Sequence, residues 1–252
     1  MNQVKGLKEL RVLTYNIHKG FSLGSLKFVL EQIRQGIVQT LPDLVCLQEV
    51  SGKFLNPEEN EKPSLASQFE YLADQVWPHF AYGKNAVYRD GDHGNAILSK
   101  FPIAAWKNLD ISTNRFEKRG LLHCEVEVLQ GQKLHVLSSH LNLLEGSRLQ
   151  QVAQIGEYIR GKIGPTEKLI LAGDFNDWRM SANPLTFGLD QLDEAFQVHE
   201  GSFARSFPSF FPVLKLDRIY FRHLKLKEAW RLKGQPWSRL SDHIPLAASF
   251  EL

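Results

Sequence analysis

Cysteine is almost missing from this chain of 252 residues, with Cys46 and Cys124 the only two. Both lie inside apolar runs, LVCLQEV and LLHCEVEV, where a thiol behaves as a small buried hydrophobe. A disulfide framework is excluded on that count. Neither HExxH nor CxxC occurs, so the common zinc motifs are absent too. No apolar run approaches the roughly 18 residues of a membrane helix, and the N-terminal stretch MNQVKGLKELRVLTYN has no signal-type apolar segment. The resulting expectation is a cytoplasmic protein.

Strong charge of either sign is lacking as well. A formal net charge of +2 gives no electrostatic footprint of a dedicated nucleic-acid binder, although a polyanionic partner remains open. The stretch LKLKEAWRLK, with Lys225, Lys227, Arg231 and Lys233, alternates like an exposed strand and reads as a solvated face. Repeats, low-complexity linkers and composition shifts are absent, which leaves one domain over residues 1–252. The remaining composition, 43% hydrophobic and 23% charged, is that of a globular domain with a sizeable core.

Strand-like runs are LRVLTYN (10–16), DLVCLQEV (43–50), GNAILSK (94–100), LLHCEVEVL (121–129), KLHVLSSHL (133–141), KLILAGD (168–174), KLDRIYF (215–221) and PLAASFEL (245–252), by alternation or β-branched content. Helical spacing joins Leu26, Val29, Leu30, Ile33 and Ile37, then Leu65, Phe69, Leu72 and Val76, then Leu149, Val152, Ile155 and Ile159. Ser25 and Ser64 are candidate N-caps, Pro42 and Pro78 follow the stops, and a short helix is expected near Pro184. LQGQK suits a hairpin. Helices alternating with strands early and consecutive strands later predict an α/β domain with mixed sheets.

The ends of these strands are unusually polar. Asn16, Glu49, His140, Asp174 with Asn176, Asp217, and the pair Asp242–His243 each fall at the edge of a different run. A turn explains any one of them, since Asx side chains bond local backbone. Six together point to convergence on one cleft, because buried carboxylates need a partner or a metal. Oxygen donors such as Glu49, Asp242 and Asn16 suit a hard ion, Mg²⁺ or Mn²⁺, and Mg²⁺ leaves most of its positions to water and phosphate. A phosphoester site is the chemical expectation.

TYNIHKG, LQEV, GNAILSK, SSHLN, GDFND, LDRIYF and SDHIPL, in that order over residues 10–252, resemble the motif series of the endonuclease/exonuclease/phosphatase superfamily, the deoxyribonuclease I-like proteins. NIHKGF, HGNAILS, RGLLHC and FPSFFPVLKLDRIY are similar to a bacterial branch of uncharacterised members. The resemblance implies a four-layered α/β sandwich, two mixed sheets packed face to face with helices outside, and Mg²⁺-dependent cleavage of a phosphate ester. It also implies Glu49 as principal metal ligand with Asn16 and Asp242 near the ion. Asp174 and Asn176 would orient water and phosphate, His243 steered by Asp217 would be the general acid/base, and His140 would bond a phosphate oxygen or the leaving group. His18 stands where related apurinic endonucleases carry Asp, which leaves its role open.

Asn95 in HGNAILS is a candidate to support His140 or the phosphate, and Arg119 is either a phosphate clamp or half of a surface ion pair. The rings of Phe203, Phe207, Phe210 and Phe211 either fill the space between the sheets or form a lip beside the cleft. Three functions are compatible with this reading. They are a phosphodiesterase acting on a phospholipid, another small phosphodiester or nucleic acid; a phosphomonoesterase; and a catalytically silent binding module. No obligate protein partner is evident, and transient membrane contact stays open.

Overall fold

A computed structural model describes residues 9–20, 29–52, 67–88, 91–129, 131–180, 188 and 191–252. Its strands are β1 (Glu9–Asn16), β2 (Leu44–Ser51), β3 (His79–Tyr88), β4 (Gly91–Ser99), β5 (Ile103–Asp110), β6 (Gly120–Leu129), β7 (Gln132–His140), β8 (Lys168–Asp174), β9 (Asp193–Glu194), β10 (Asp217–Arg222), β11 (Lys225–Arg231) and β12 (Leu246–Glu251). They form two six-stranded sheets, ordered β11-β12-β1-β2-β4-β3 and β5-β6-β7-β8-β10-β9. The helices are α1 (Leu30–Gln39), α2 (Gln68–Ala73), α3 (Glu145–Lys162), α4 (Ala195–Glu200) and α5 (Trp237–Leu240).

Alternation along each strand sorts residues into layers. In β1, Leu10 and Val12 face the space between the sheets and join Leu122, Val136, Ile170 and Phe250 in the central core. Leu13 and Tyr15 face outward, where Ile33, Ile37 and Trp237 cover them. Leu169 and Leu171 of β8 turn away from the first sheet, onto Val152, Ile155 and Ile159 of α3. Helix, sheet, sheet and helix therefore stack as the expected four-layered sandwich. Both sheets are mixed, with β1 parallel to β2 and β7 parallel to β8, while β12 and β10 run antiparallel to them.

Several boundaries depart from the sequence reading. Ser67 caps α2, accepting from Glu70 N at 3.3 Å while its hydroxyl donates to the Glu70 carboxylate at 2.7 Å, as a serine N-cap does. Ser25, Leu26, Ser64, Leu65 and the helix expected near Pro184 lie outside the described residues. In α3 the buried stripe contains Arg148, whereas Leu149 is exposed. Strands β3 and β5 carry no clear strand signal in the sequence because GKN interrupts the first and the second is largely exposed. The LQGQK hairpin joins β6 to β7, with Leu129 opposite Gln132 and Gly131 at φ +75°, a left-handed position that suits glycine.

Beneath α3 the second sheet carries a chain of titratable groups whose two histidines are buried. His123 Nδ1 meets the Tyr158 hydroxyl at 2.9 Å, its Nε2 meets His135 Nδ1 at 2.9 Å, and His135 Nε2 lies 3.4 Å from Glu167. Burial, and next the neighbouring His135 charge, push His123 down to about 4. A histidine lowered in the fold is neutral there, so its contribution is intact above the unfolded value near 6.5 and is lost as pH falls from there towards 4. The wild type is expected to lose about 3 kcal/mol more than His123→Gln between pH 7 and pH 4 in urea titrations. Equal losses would refute this assignment.

Candidate active site

The GDFND turn shows how one short segment serves four purposes. Gly173 has no room for a Cβ, which would meet the Ser139 carbonyl at 1.9 Å, so β8 can lie against β7 at this point only as glycine. Phe175 is buried against α3. Asp174 and Asn176 enter the cleft, whereas Asp177 turns away into a buried contact with Arg148 and Arg218, 4.0 Å from each. Asn176 itself has φ +49°, a conformation that asparagine tolerates better than most residues.

The six polar strand edges meet at one end of the sandwich. For β1, β2, β7 and β8 this is the carboxyl end. For β10 and β12 it is the amino end, since both are antiparallel, so Asp217 opens its strand rather than closing it. Glu49 sits at φ +55° in a bulge where the β2–β4 register shifts between Leu47 and Val50. Bulges of this kind re-aim a side chain beside functional sites.

Asn16 is the hub. Its Nδ2 donates to Asp174 Oδ2 at 3.1 Å and to Glu49 Oε1 at 3.3 Å, and its Oδ1 accepts from His18 N at 3.1 Å. His243 Nδ1 bonds Asp217 Oδ2 at 2.8 Å while its Nε2 lies 3.6 Å from Asp174 Oδ2. His140 Nε2 approaches the same Asp174 oxygen at 3.4 Å. Ser241, unremarked in the sequence although it opens SDHIPL, donates to the Asn16 carbonyl at 2.7 Å and lies 3.2 Å from Asp242 Oδ1. His18 Nδ1 stands 3.6 Å from that Asp242 oxygen.

The remaining candidates support the edge of this group. Asn176 donates its backbone N–H to Asp174 Oδ1 and its Nδ2 to the Leu141 carbonyl, both at 2.9 Å. Arg119 Nε reaches that same carbonyl at 3.4 Å, and its Nη2 pairs with Glu117 at 2.7 Å. Asn95 is buried, and its Nδ2 donates to the carbonyls of Gly120 at 3.0 Å and Ser138 at 3.3 Å, crossing from the first sheet to the second. Gln48 makes a similar crossing to Ser138 Oγ at 3.2 Å. Phe207 packs on His243 with ring centroids 5.1 Å apart, and Phe203 lies under the Arg218 guanidinium at 4.1 Å. Phe210 and Phe211 are exposed, so the phenylalanine-rich segment does not fill the space between the sheets.

Electrostatics pull the two imidazoles apart. Burial, reinforced by the Arg119, His243 and His93 charges, holds His140 well below the usual histidine range. Burial opposes protonation of His243 too, but the Asp217 and Asp174 carboxylates outweigh it and push His243 up to about 10. Asp174 rises to about 6 through burial and the Asp217 charge, against the pull of His243, Asn176 and Asn16. A neutral imidazole, a protonated one and a carboxylate of raised affinity for protons thus share one cleft, the separation expected of acid/base chemistry.

Asp217, Asp174 and Asp242 act on the one protonated imidazole and Glu49 is joined to them through Asn16, an excess of negative charge that suits a divalent cation. Two groups of donors are available. Atoms of Asp174, Asp217 and His243 lie within 4.8 Å of one another, but His243 already binds Asp217, and its proton would compete with a cation. The second group comprises the partly buried carboxylates of Glu49 and Asp242, with Asn16 donating Nδ2 to Glu49 at 3.3 Å, and oxygen donors of this kind suit a hard ion.

The chain matches the sequence profile of the Endonuclease/Exonuclease/phosphatase family over residues 13–243. It is 43% identical over 244 residues to Uncharacterized protein YbhP of Escherichia coli strain K12, covering 96% of each chain. Among solved structures it is similar to an endonuclease/exonuclease/phosphatase from Beutenbergia cavernae, with TM-score 0.79 and 19% identity over 97% of this chain and 72% of that one. It is also similar to D. rerio TDP2 complexed with single strand DNA product, with TM-score 0.69 and 21% identity over 97% of this chain and 99% of that one.

Proposed function

This chain belongs to the endonuclease/exonuclease/phosphatase family, whose chemistry is phosphoester hydrolysis, and from that premise we propose that it is a divalent-metal phosphodiesterase. The observation that carries the proposal is the unbroken series of side-chain contacts Asp217–His243–Asp174–Asn16–Glu49, which joins both sheets across one cleft. Asp174 and Asn176 orient the attacking water and the phosphate. His243, held through Nδ1 by Asp217 and protonated at neutral pH, presents Nε2 as the proton donor to the leaving oxygen. His140, kept neutral, bonds a non-bridging oxygen.

Glu49, Asn16 and Asp242 would hold Mg²⁺ or Mn²⁺. A cation bound there supplies neutralisation of phosphate charge and polarisation of the ester. Glu49→Ala is expected to weaken Mn²⁺ binding by roughly tenfold or more, by analogy with the losses on disturbing metal sites, as measured by isothermal titration on the variant protein. Unchanged affinity would move the ion elsewhere. In the substrate class, phospholipid or another small phosphodiester is favoured over nucleic acid by the mild net charge of +2. With Mg²⁺, bis(p-nitrophenyl) phosphate should be cleaved with higher kcat/KM than p-nitrophenyl phosphate; the reverse order would replace the diester by a monoester substrate.

A further inference from the structure

We infer that the loop carrying Phe210 and Phe211, together with the cations Arg205, Lys215 and Lys233, docks the mouth of the cleft onto an anionic lipid bilayer. Phe210 and Phe211 are 67% and 69% exposed, and Val213 beside them is 45% exposed. Backbone hydrogen bonds hold the loop in this shape. Ser206 N bonds the Leu214 carbonyl at 2.8 Å, Leu214 N bonds the Phe207 carbonyl at 2.8 Å, and Phe211 N bonds the Pro208 carbonyl at 3.1 Å. Its base is fixed to the site, with Ser209 N donating to the Asp242 carbonyl at 2.7 Å and Ser209 Oγ to the Ser241 carbonyl at 2.6 Å. An apolar pair held outward by a rigid loop loses little entropy on insertion.

Charge selects the partner. Pro212 of the same loop and Phe203 wall a depression of about 490 Å³ that is also lined by Arg205, Lys215 and Lys233. Its carboxylate, Glu200, is taken by Arg231 at 2.6 Å, which leaves those three cations outside any ion pair among the described residues. Apolar side chains continue along the same edge of the sandwich, with Leu144 68% exposed after β7 and Trp178 43% exposed after β8. Exposed rings beside cations are the pattern of an interfacial anchor, the rings entering the acyl boundary and the cations meeting anionic headgroups.

The other occupants fit less well. A second copy docked through a two-fold axis would bring these cations against their own duplicates. A single nucleic-acid strand is bound by aromatics spaced along a cationic groove, whereas here two adjacent rings and a valine project together at a loop tip. Among the described residues no helix is long and apolar enough to cross a membrane.

Sedimentation with large unilamellar vesicles tests the inference through binding alone, so its outcome is separate from that of the hydrolase reading. The full chain should sediment with phosphatidylcholine vesicles containing one-quarter phosphatidylglycerol and far less with pure phosphatidylcholine. Phe210→Ala/Phe211→Ala should lower partitioning roughly tenfold or more, with an unchanged melting temperature and undiminished cleavage of soluble bis(p-nitrophenyl) phosphate. Removing a cation, as in Lys215→Gln or Lys233→Gln, should lower it by roughly fivefold each. The inference is overturned if wild type ignores anionic vesicles, if the double variant binds them as well, if a single-stranded oligonucleotide displaces the protein from them, or if the double substitution instead abolishes a dimer seen by ultracentrifugation.

Discussion

His243→Ala is expected to lower kcat for diester cleavage by about 10²- to 10⁴-fold, the usual contribution of a positioned acid or base. The size follows from what the residue has been given. Asp217 at 2.8 Å fixes the orientation of the ring, and two carboxylates hold its proton up to about 10 despite burial. Nε2, the nitrogen facing Asp174 at 3.6 Å, is then a charged donor across the whole neutral range. Because Glu49 and Asp242 are untouched, the variant should bind Mn²⁺ with wild-type affinity, and the loss should appear in kcat. Asp217→Asn should lower kcat in the same direction, since an amide cannot hold the imidazolium as a carboxylate does. Turnover retained in His243→Ala would remove the residue from the chemistry.

Asp177→Ala is expected to cost about 3–5 kcal/mol of stability, as for removal of one member of a buried ionic group. Arg148 and Arg218 are both fully buried, each 4.0 Å from the Asp177 carboxylate. Each guanidinium also covers a ring, Arg148 over Trp178 at 4.8 Å and Arg218 over Phe203 at 4.1 Å. Arg148 further donates to the Leu143 carbonyl and Arg218 to that of Lys215. Those contacts keep the two cations in place once Asp177 is gone, so the substitution leaves two buried guanidiniums with only the attraction of Glu145 for Arg148 and of Glu194 for Arg218. For a domain of this size the melting temperature should fall by roughly 6–20 °C. A fall of under 2 °C would mean that the two guanidiniums are solvated or held by other groups.

Much of this was legible in the chain because the relevant signal is local. Strands such as LRVLTYN and KLILAGD alternate cleanly, and their polar ends need no knowledge of partners to look out of place. What stayed hidden depends on contacts distant in sequence. The fate of Asp177 was invisible because its partners Arg148 and Arg218 come from α3 and β10. Ser241 looked like an ordinary residue before Asp242, yet it ties β1 to the last strand through the Asn16 carbonyl. Asn95 and Arg119 stand out in their motifs, but only the packing shows Asn95 bridging the sheets and Arg119 paired with Glu117. The rings at 203–211 carry no periodicity that separates a buried use from an exposed one, and the structure divides them, Phe207 against His243 and Phe210 with Phe211 facing solvent.

The convergence of Asn16, Glu49, Asp174, Asp217, Asp242 and His243 at one end of the sandwich is the foundation of the functional reading, and metal-dependent diester cleavage tests it most directly. Purified protein should hydrolyse bis(p-nitrophenyl) phosphate in Mg²⁺ or Mn²⁺, stop on addition of EDTA and recover when the metal is restored in excess. Cleavage that persists unchanged in EDTA and in His243→Ala, or no cleavage of any phosphate ester with either metal, would contradict the account.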